Sequence, residues 1–531
     1  MKKNLLSSPA LTLGLAFLVP IFFVFSKNSH MVSVEGLLLS SGIALLIACL
    51  AIVGLSLCIW FYEKKSANFP MWMRWLVMAI FCMVIVETCC FFLQGQLFAA
   101  IPEPRWLRIL VSRMIPFIIL FLLVYKFGFR PINVFLCIFW GISVINLGIA
   151  LSESDPLRPD ISLLSYEIKQ RPNIYLFVQE SYHPLDIQRE VYGIDTSYME
   201  AYLARNGFTD YGKIYANSPH TLGSFADLFS FRPSWVYARG NNDVRASVRP
   251  MLGGNKFNTL FRIMKANDYN TVWIVGDSGY YGTIRGEYLD DSDGLIGGQS
   301  QSLIFDVITC FEMLNTRFRD ASILSLRKYY EPFFPEERAY TGNLENRVSQ
   351  AIARHNQPGS PLFLIFKGGA NHTPSDGSYS WEQNEEWVQS GRYQKLVEKG
   401  NLELQRICDL IIAKDPGALI ILIGDHGSWR FQGADKGWRS SLKDIVCIVE
   451  EKGISWSDFC EDRFAAFLAI RLPYGLQADI SHGQVMSHVN LFRHIFAYLN
   501  QDESILEARE PSNTYFRGQT VIVDGKVVSE P

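Results

Sequence analysis

Five apolar segments, each close to the length of a bilayer-spanning helix, crowd into the first 151 residues of this 531-residue chain. They are Leu5–Phe25, Leu37–Phe61, Trp75–Leu93, Leu107–Phe127 and Ile132–Leu151. A bilayer's hydrocarbon core asks for about 20 apolar residues per helix, so the segments predict five transmembrane helices. Lys2 and Lys3 precede the first segment as they would a signal peptide. No small-residue cleavage site follows Phe25, however, and four more spans come after it, so the first segment reads as a retained helix. With the N-terminus in the cytoplasm, the inner loops hold Lys2, Lys3, Lys64, Lys65, Arg74, Lys126 and Arg130, and the outer ones Lys27, Arg105 and Arg108. That bias favours this orientation. Five spans then place everything after Leu151 outside the cytoplasm.

Three regions follow: a membrane domain Met1–Leu151, a linker Ser152–Arg171 with Pro156 and Pro159, and an exported domain Pro172–Pro531. In the exported domain short apolar runs alternate with helical patterns. The strand candidates are Ile174–Val178, Thr271–Val275, Leu362–Phe366, Ala418–Ile423 and Ala465–Ile470. Apolar residues spaced by three and four mark helices over Asn255–Ala266, Tyr393–Ala413 and Val489–Leu499. This alternation predicts an α/β domain with a mostly parallel central sheet covered on both faces. Asp524-Gly525 between apolar residues predicts a C-terminal hairpin.

Chemistry gathers where the strand candidates end. The run Ala418–Ile423 leads into Gly424-Asp425-His426-Gly427, and ligands of open α/β sheets sit beyond the carboxyl ends of such strands. Asp425 and His426 offer a hard oxygen and an imidazole nitrogen, a pair suited to a divalent cation. The run Ile174–Val178 ends likewise in a carboxylate, Glu180. In Ser218-Pro219-His220-Thr221-Leu222-Gly223 a turn delivers Thr221 to the start of a short helix, where free backbone N–H groups can hold a phosphate. A bound cation would lower the pKa of the Thr221 hydroxyl and make it a nucleophile.

In this combination and order the segments resemble the alkaline phosphatase and sulfatase superfamily. The nearer likeness is its membrane-anchored branch of lipoteichoic acid synthases and phosphoglycerol and phosphoethanolamine transferases, over roughly Pro172 to Tyr498. The resemblance implies an alkaline-phosphatase-like exported domain and one divalent metal ion (Mn, Zn or Mg) held by Glu180, Thr221, Asp425 and His426, with Thr221 as catalytic nucleophile. It also places a substrate-binding His after a middle strand, and His372, beyond Leu362–Phe366, fits that role. Asp277 and Trp429 are further substrate-binding candidates, and Trp273 a candidate pocket wall. The implied reaction moves a phospholipid head group, phosphoglycerol before others, through a phospho-threonine intermediate to a cell-envelope glycan or lipid.

Departures from the family pattern bear on the head group. Phosphoethanolamine transferases continue Asp-His-Gly with Glu-Ser-Leu and a further His, whereas this chain reads Ser428-Trp429-Arg430-Phe431. The sulfatase signature around a Cys or Ser is not found near Thr221. Phosphoethanolamine transfer, a membrane-bound phosphodiesterase or sulfatase-like hydrolase, and a non-catalytic degenerate member remain the alternatives. The expected partners are a phospholipid donor, a glycan or lipid acceptor and the cytoplasmic membrane. A net charge of −3 makes no electrostatic case for nucleic acid. Of the ten cysteines, Cys310, Cys408, Cys447 and Cys460 lie in the exported part, where disulfides persist, and Cys447 and Cys460 are spaced for a small loop.

Overall fold

The computed structural model describes residues 115–128, 130–152, 161–233, 258–274, 290–292, 343–370, 381–428, 430–431, 441–473 and 487–528, with a few isolated positions between 11 and 49. The chain divides into two compact units, Met1–Asp155 with Ser300–Pro335, and Pro156–Gln299 with Glu336–Pro531.

In the first unit two helices are described, α1 (Ile115–Phe127) and α2 (Arg130–Ser152). Leu15, Val124, Ile132 and Leu136 form a small interior cluster. The outer faces are apolar too: Ile118, Ile119, Leu122 and Leu123 of α1 and Phe135, Ile138, Ile142 and Ile145 of α2 are exposed. Apolar surface of that extent is unfavourable against water. Over the residues described, no helix is long and apolar enough to cross a membrane. The segments Leu5–Phe25, Leu37–Phe61 and Trp75–Leu93 lie almost wholly outside the described residues.

The second unit is built on a seven-stranded sheet. Its strands are β1 (Ile174–Glu180), β2 (Phe208–Tyr215), β3 (Asn270–Ile274), β4 (Asp291–Ser292), β5 (Leu362–Ala370), β6 (Leu419–Gly424) and β7 (Ala465–Arg471). They run in the order β2-β7-β6-β1-β5-β3-β4. β1 pairs in parallel with β5 and β6, and β3 with β4 and β5, while β7 is antiparallel to β6 and β2. The sheet is therefore mostly parallel, as the alternation of strands and helices predicts. The edge strand β2 has no continuous apolar run, and a bulge at Asp210/Gly212 interrupts its pairing. Its sequence lacks the signal that betrays the central strands.

Alternate side chains of the central strands enter two cores, as a period of two requires. Leu176, Val178, Phe363, Ile365, Ile421 and Ile423 pack with the helices Thr221–Ser230, Thr259–Ala266 and His488–Asn500. Tyr175, Phe177, Leu364, Phe366, Ile420 and Leu422 pack on the opposite face with the helices Leu344–His355 and Arg392–Lys414. Being buried on both faces explains why these strands read as unbroken apolar runs.

Three expectations change. Trp273 is no pocket wall: it is fully buried, edge-on to Phe229 and Phe261. Cys447 and Cys460 are not joined; among the described residues Cys408, Cys447 and Cys460 are free thiols. Burial pushes the thiols of Cys408 and Cys460 upward and keeps them protonated. Within the stretch assigned to a linker, Leu163 and Ile168 are buried in the sheet's core, and the Ile168 and Lys169 amides donate to Asn267 and Asn500. The predicted hairpin is present: β9 (Gln519–Val523) and β10 (Lys526–Val527) pair antiparallel. Asp524 and Gly525, at φ 46° and 75°, supply the two left-handed residues that such a turn needs. β8 (Thr514–Phe516) adds a third strand.

A candidate metal centre beyond β1 and β6

The adjacent strands β1 and β6 end together, Gln179 opposite Gly424. The next residues of each strand therefore meet. Ser181 turns into the left-handed region at φ 54°, a conformation that costs a non-glycine residue about 1 kcal/mol or more. The Ser181 amide donates to Asp425 Oδ1 at 2.7 Å, and the His426 amide donates to the same oxygen at 2.9 Å. Asp425 Oδ2, also buried, has no hydrogen-bond partner.

His426 has its tautomer set by a backbone carbonyl. Its Nδ1 lies 2.7 Å from Gly427 O; a carbonyl only accepts, so Nδ1 carries the proton. Nε2 then presents a lone pair. That nitrogen is 3.1 Å from Thr221 Oγ1 and 3.4 Å from Asp425 Oδ2. Thr221 is the first residue of the helix α3 (Thr221–Ser230), with His220 in the N-cap position. The first amides of a helix have no intrahelical acceptor, so the hydroxyl sits beside a natural phosphate cradle.

Both glycines of the motif are required by packing. A Cβ on Gly424 would lie 2.2 Å from Tyr182 O, and one on Gly427 1.8 Å from Asp462 O and 2.8 Å from His183 Cε1. Behind the loop sits a buried polar cluster that sequence reasoning missed. The Ser428 amide donates to His183 Nε2 at 3.0 Å, and Ser428 Oγ donates to Asp462 Oδ1 at 2.9 Å. Tyr192 hydrogen-bonds both Asp462 and Ser428. Burial pushes the Asp462 carboxyl up, but the interactions with His183, Tyr192 and Ser428 outweigh it and hold the group below the ordinary carboxylate range. Arg430 clamps Glu385 through two bonds of 2.6 and 2.9 Å. His488 donates from Nε2 to Gly424 O at 3.0 Å, and burial pushes its pKa down to about 3. It is a neutral strut under β6.

The structure thus brings Thr221, Asp425 and His426 together. Glu180 stands at the end of β1, where its carboxylate pairs with the ammonium of Lys367 from β5. Among the described residues no three His, Cys, Asp or Glu side chains gather closely enough to hold a metal unaided. The donor set of Thr221, Asp425 and His426 nevertheless fits a hard or borderline cation, because the His426 lone pair lies 3.1 Å from the Thr221 hydroxyl and 3.4 Å from the orphaned Asp425 Oδ2. Asp277, His372 and Trp429 lie outside the described residues. Lys367 was missed as well, although a lone cation closing the apolar run Leu362–Phe366 is a visible signal.

No protein-family model matches the chain, and no curated protein matches it in sequence. Three of the solved structures similar to it are the following. One is the C-terminal periplasmic domain of EcEptC from Escherichia coli in complex with Zn, at 12% or less identity in its two forms; the Zn form has 11% identity over 68% of this chain and 94% of that one, with a TM-score of 0.37. Another is the lipoteichoic acid synthase LtaP from Listeria monocytogenes, at 11% identity over 65% and 77%, TM-score 0.36. The third is the integral membrane lipooligosaccharide phosphoethanolamine transferase A from Neisseria meningitidis, at 12% over 93% and 96%, TM-score 0.33. Each of these likenesses is at 12% identity or less and below a TM-score of 0.5, so what the chain does rests on its own residues.

Proposed function

We propose that the chain is a membrane-anchored, metal-dependent phosphotransferase of the alkaline phosphatase and sulfatase kind. It moves a phospholipid head group, phosphoglycerol in preference to phosphoethanolamine, to a cell-envelope glycan or lipid. One observation carries the reading: the Thr221 hydroxyl, at a helix N-terminus, faces the His426 lone pair, and that nitrogen lies 3.4 Å from a buried Asp425 oxygen without a hydrogen-bond partner.

Asp425, His426 and Thr221 would hold one divalent cation, with Glu180 the fourth ligand. Bound there, the cation would lower the pKa of the Thr221 hydroxyl and offset charge on the phosphoryl oxygens. Thr221 Oγ1 attacks the phosphorus of the donor phosphodiester. The bond from phosphorus to the diacylglycerol oxygen breaks, and diacylglycerol leaves with a proton. The head group is then esterified to Thr221. An acceptor hydroxyl attacks the same phosphorus, Thr221 Oγ1 departs and regains a proton. The amides opening α3 lie where they can bind the phosphoryl oxygens through both steps. Arg430, Glu385 and the Asp462 cluster keep the loop after His426 in place. His372, Asp277 and Trp429 are proposed to contact the substrate.

The exposed apolar faces of α1 and α2 support the membrane domain and inner-membrane location, with the catalytic unit on the periplasmic or extracellular side. Such an arrangement leaves the donor's acyl chains in the bilayer. Mass spectrometry of the protein after exposure to phosphatidylglycerol tests the reading. A phosphoglycerol adduct on Thr221, absent from Thr221→Ala, is expected. No adduct on Thr221, with diacylglycerol still released, would remove Thr221 as the nucleophile. Product analysis with and without a glycan acceptor separates transfer from hydrolysis.

A further inference from the structure

We propose that Lys367 is a positioning residue that sets the cation affinity of the site by competing for Glu180; the inference rests on the metal-site reading above. The pair is held by backbone rather than by two loose surface arms. Lys367 lies on β5 opposite Val178, two residues before Glu180 on β1. The strands are tied just beyond it, where Gln179 Nε2 donates to Gly369 O at 3.0 Å. Gly368 allows that approach, since a Cβ there would lie 1.9 Å from Gln179 Oε1. The two side chains are largely shielded, 9% exposed for Lys367 and 15% for Glu180. Breaking a pair so shielded costs more than breaking an ordinary surface pair, because it leaves one charge buried and unpaired.

Glu180 therefore has two rival cations. A carboxylate oxygen engaged by the Lys367 ammonium is not free to ligate a divalent ion beside Asp425 and His426. An ammonium paired with one of the ion's ligands also repels the ion. At an effective dielectric of about 20, charges about 4 Å apart interact strongly enough to change binding by an order of magnitude or more. Removing the ammonium charge while keeping Glu180 then strengthens cation binding. A residue that merely packs has the opposite signature: its loss loosens Glu180 and weakens binding, or changes nothing.

The test is calorimetric titration of the full-length protein with Mn²⁺ and no substrate, comparing wild type, Lys367→Gln and Lys367→Arg. Lys367→Gln, which keeps an N–H donor for Glu180, is expected to bind Mn²⁺ at least about tenfold more tightly. Lys367→Arg, which keeps the charge, is expected to stay near wild type. Lys367→Met, closer in shape, repeats the measurement if the Gln variant is poorly folded. Equal or weaker binding by the neutral variants overturns the role of Lys367 while leaving the metal site intact. A wild-type protein that binds no divalent cation overturns the metal-site reading and this inference together.

Discussion

Asp425→Asn should remove the cation and leave the fold. In the folded protein Asp425 Oδ1 accepts the Ser181 and His426 amides at 2.7 and 2.9 Å. The amide oxygen of Asn can accept both. Replacing a charged acceptor by a neutral one weakens each bond by about 1 kcal/mol. Against that, a buried carboxylate whose Oδ2 lacks a hydrogen-bond partner no longer has to be desolvated. The two effects oppose each other, so stability without added cation should change by about 1 kcal/mol at most. With cation the outcome differs. At 100 times its dissociation constant a ligand stabilises the native state by about 2.7 kcal/mol. If loss of the anionic oxygen weakens binding about 100-fold, the same concentration gives only about 0.4 kcal/mol. For a unit of this size the difference corresponds to roughly 3 °C in Tm. Thermal unfolding across a Mn²⁺ titration, wild type against Asp425→Asn, reads this directly. A variant that keeps the wild-type cation-dependent shift would refute Asp425 as a ligand. A variant unfolded without cation would show instead that the carboxylate is structural.

Gly427→Ala should damage both fold and site, because the new Cβ would meet Asp462 O at 1.8 Å and neither backbone can yield easily. Overpacking of this kind costs about 1–3 kcal/mol or more, and displacing Gly427 O releases the His426 ring; unchanged urea stability and cation affinity would contradict the geometry. The five-span topology predicts that a phosphatase reporter fused after Leu151 is active outside the cytoplasm and one fused at Ser66 is silent, and the reverse pattern would overturn it.

Much of the sheet is legible along the chain because burial on both faces imposes unbroken apolar runs. The strands around Ile174–Val178, Leu362–Phe366 and Ala418–Ile423 carry that mark, and β2, an edge strand interrupted by a bulge, does not. The C-terminal hairpin is equally local, since Asp524-Gly525 supplies its own turn geometry. The motif Gly424-Asp425-His426-Gly427 and the turn into Thr221 can likewise be read as chemistry at element ends. What a side chain faces, however, depends on segments remote in sequence. Thr221 and His426 are 205 residues apart and meet; Glu180 and Lys367, 187 apart, pair through neighbouring strands. Trp273 belongs to the core because Phe229 and Phe261 surround it. The buried partners of Ser428, namely His183, Tyr192 and Asp462, carry no spacing that would announce them. Hydropathy and turn chemistry are recorded residue by residue, so the chain alone determined the central strands, the apolar N-terminal third and the ends where chemistry collects. Which charges meet is a property of strand order and close approach, and only the tertiary structure decided that Glu180 lies beside Lys367.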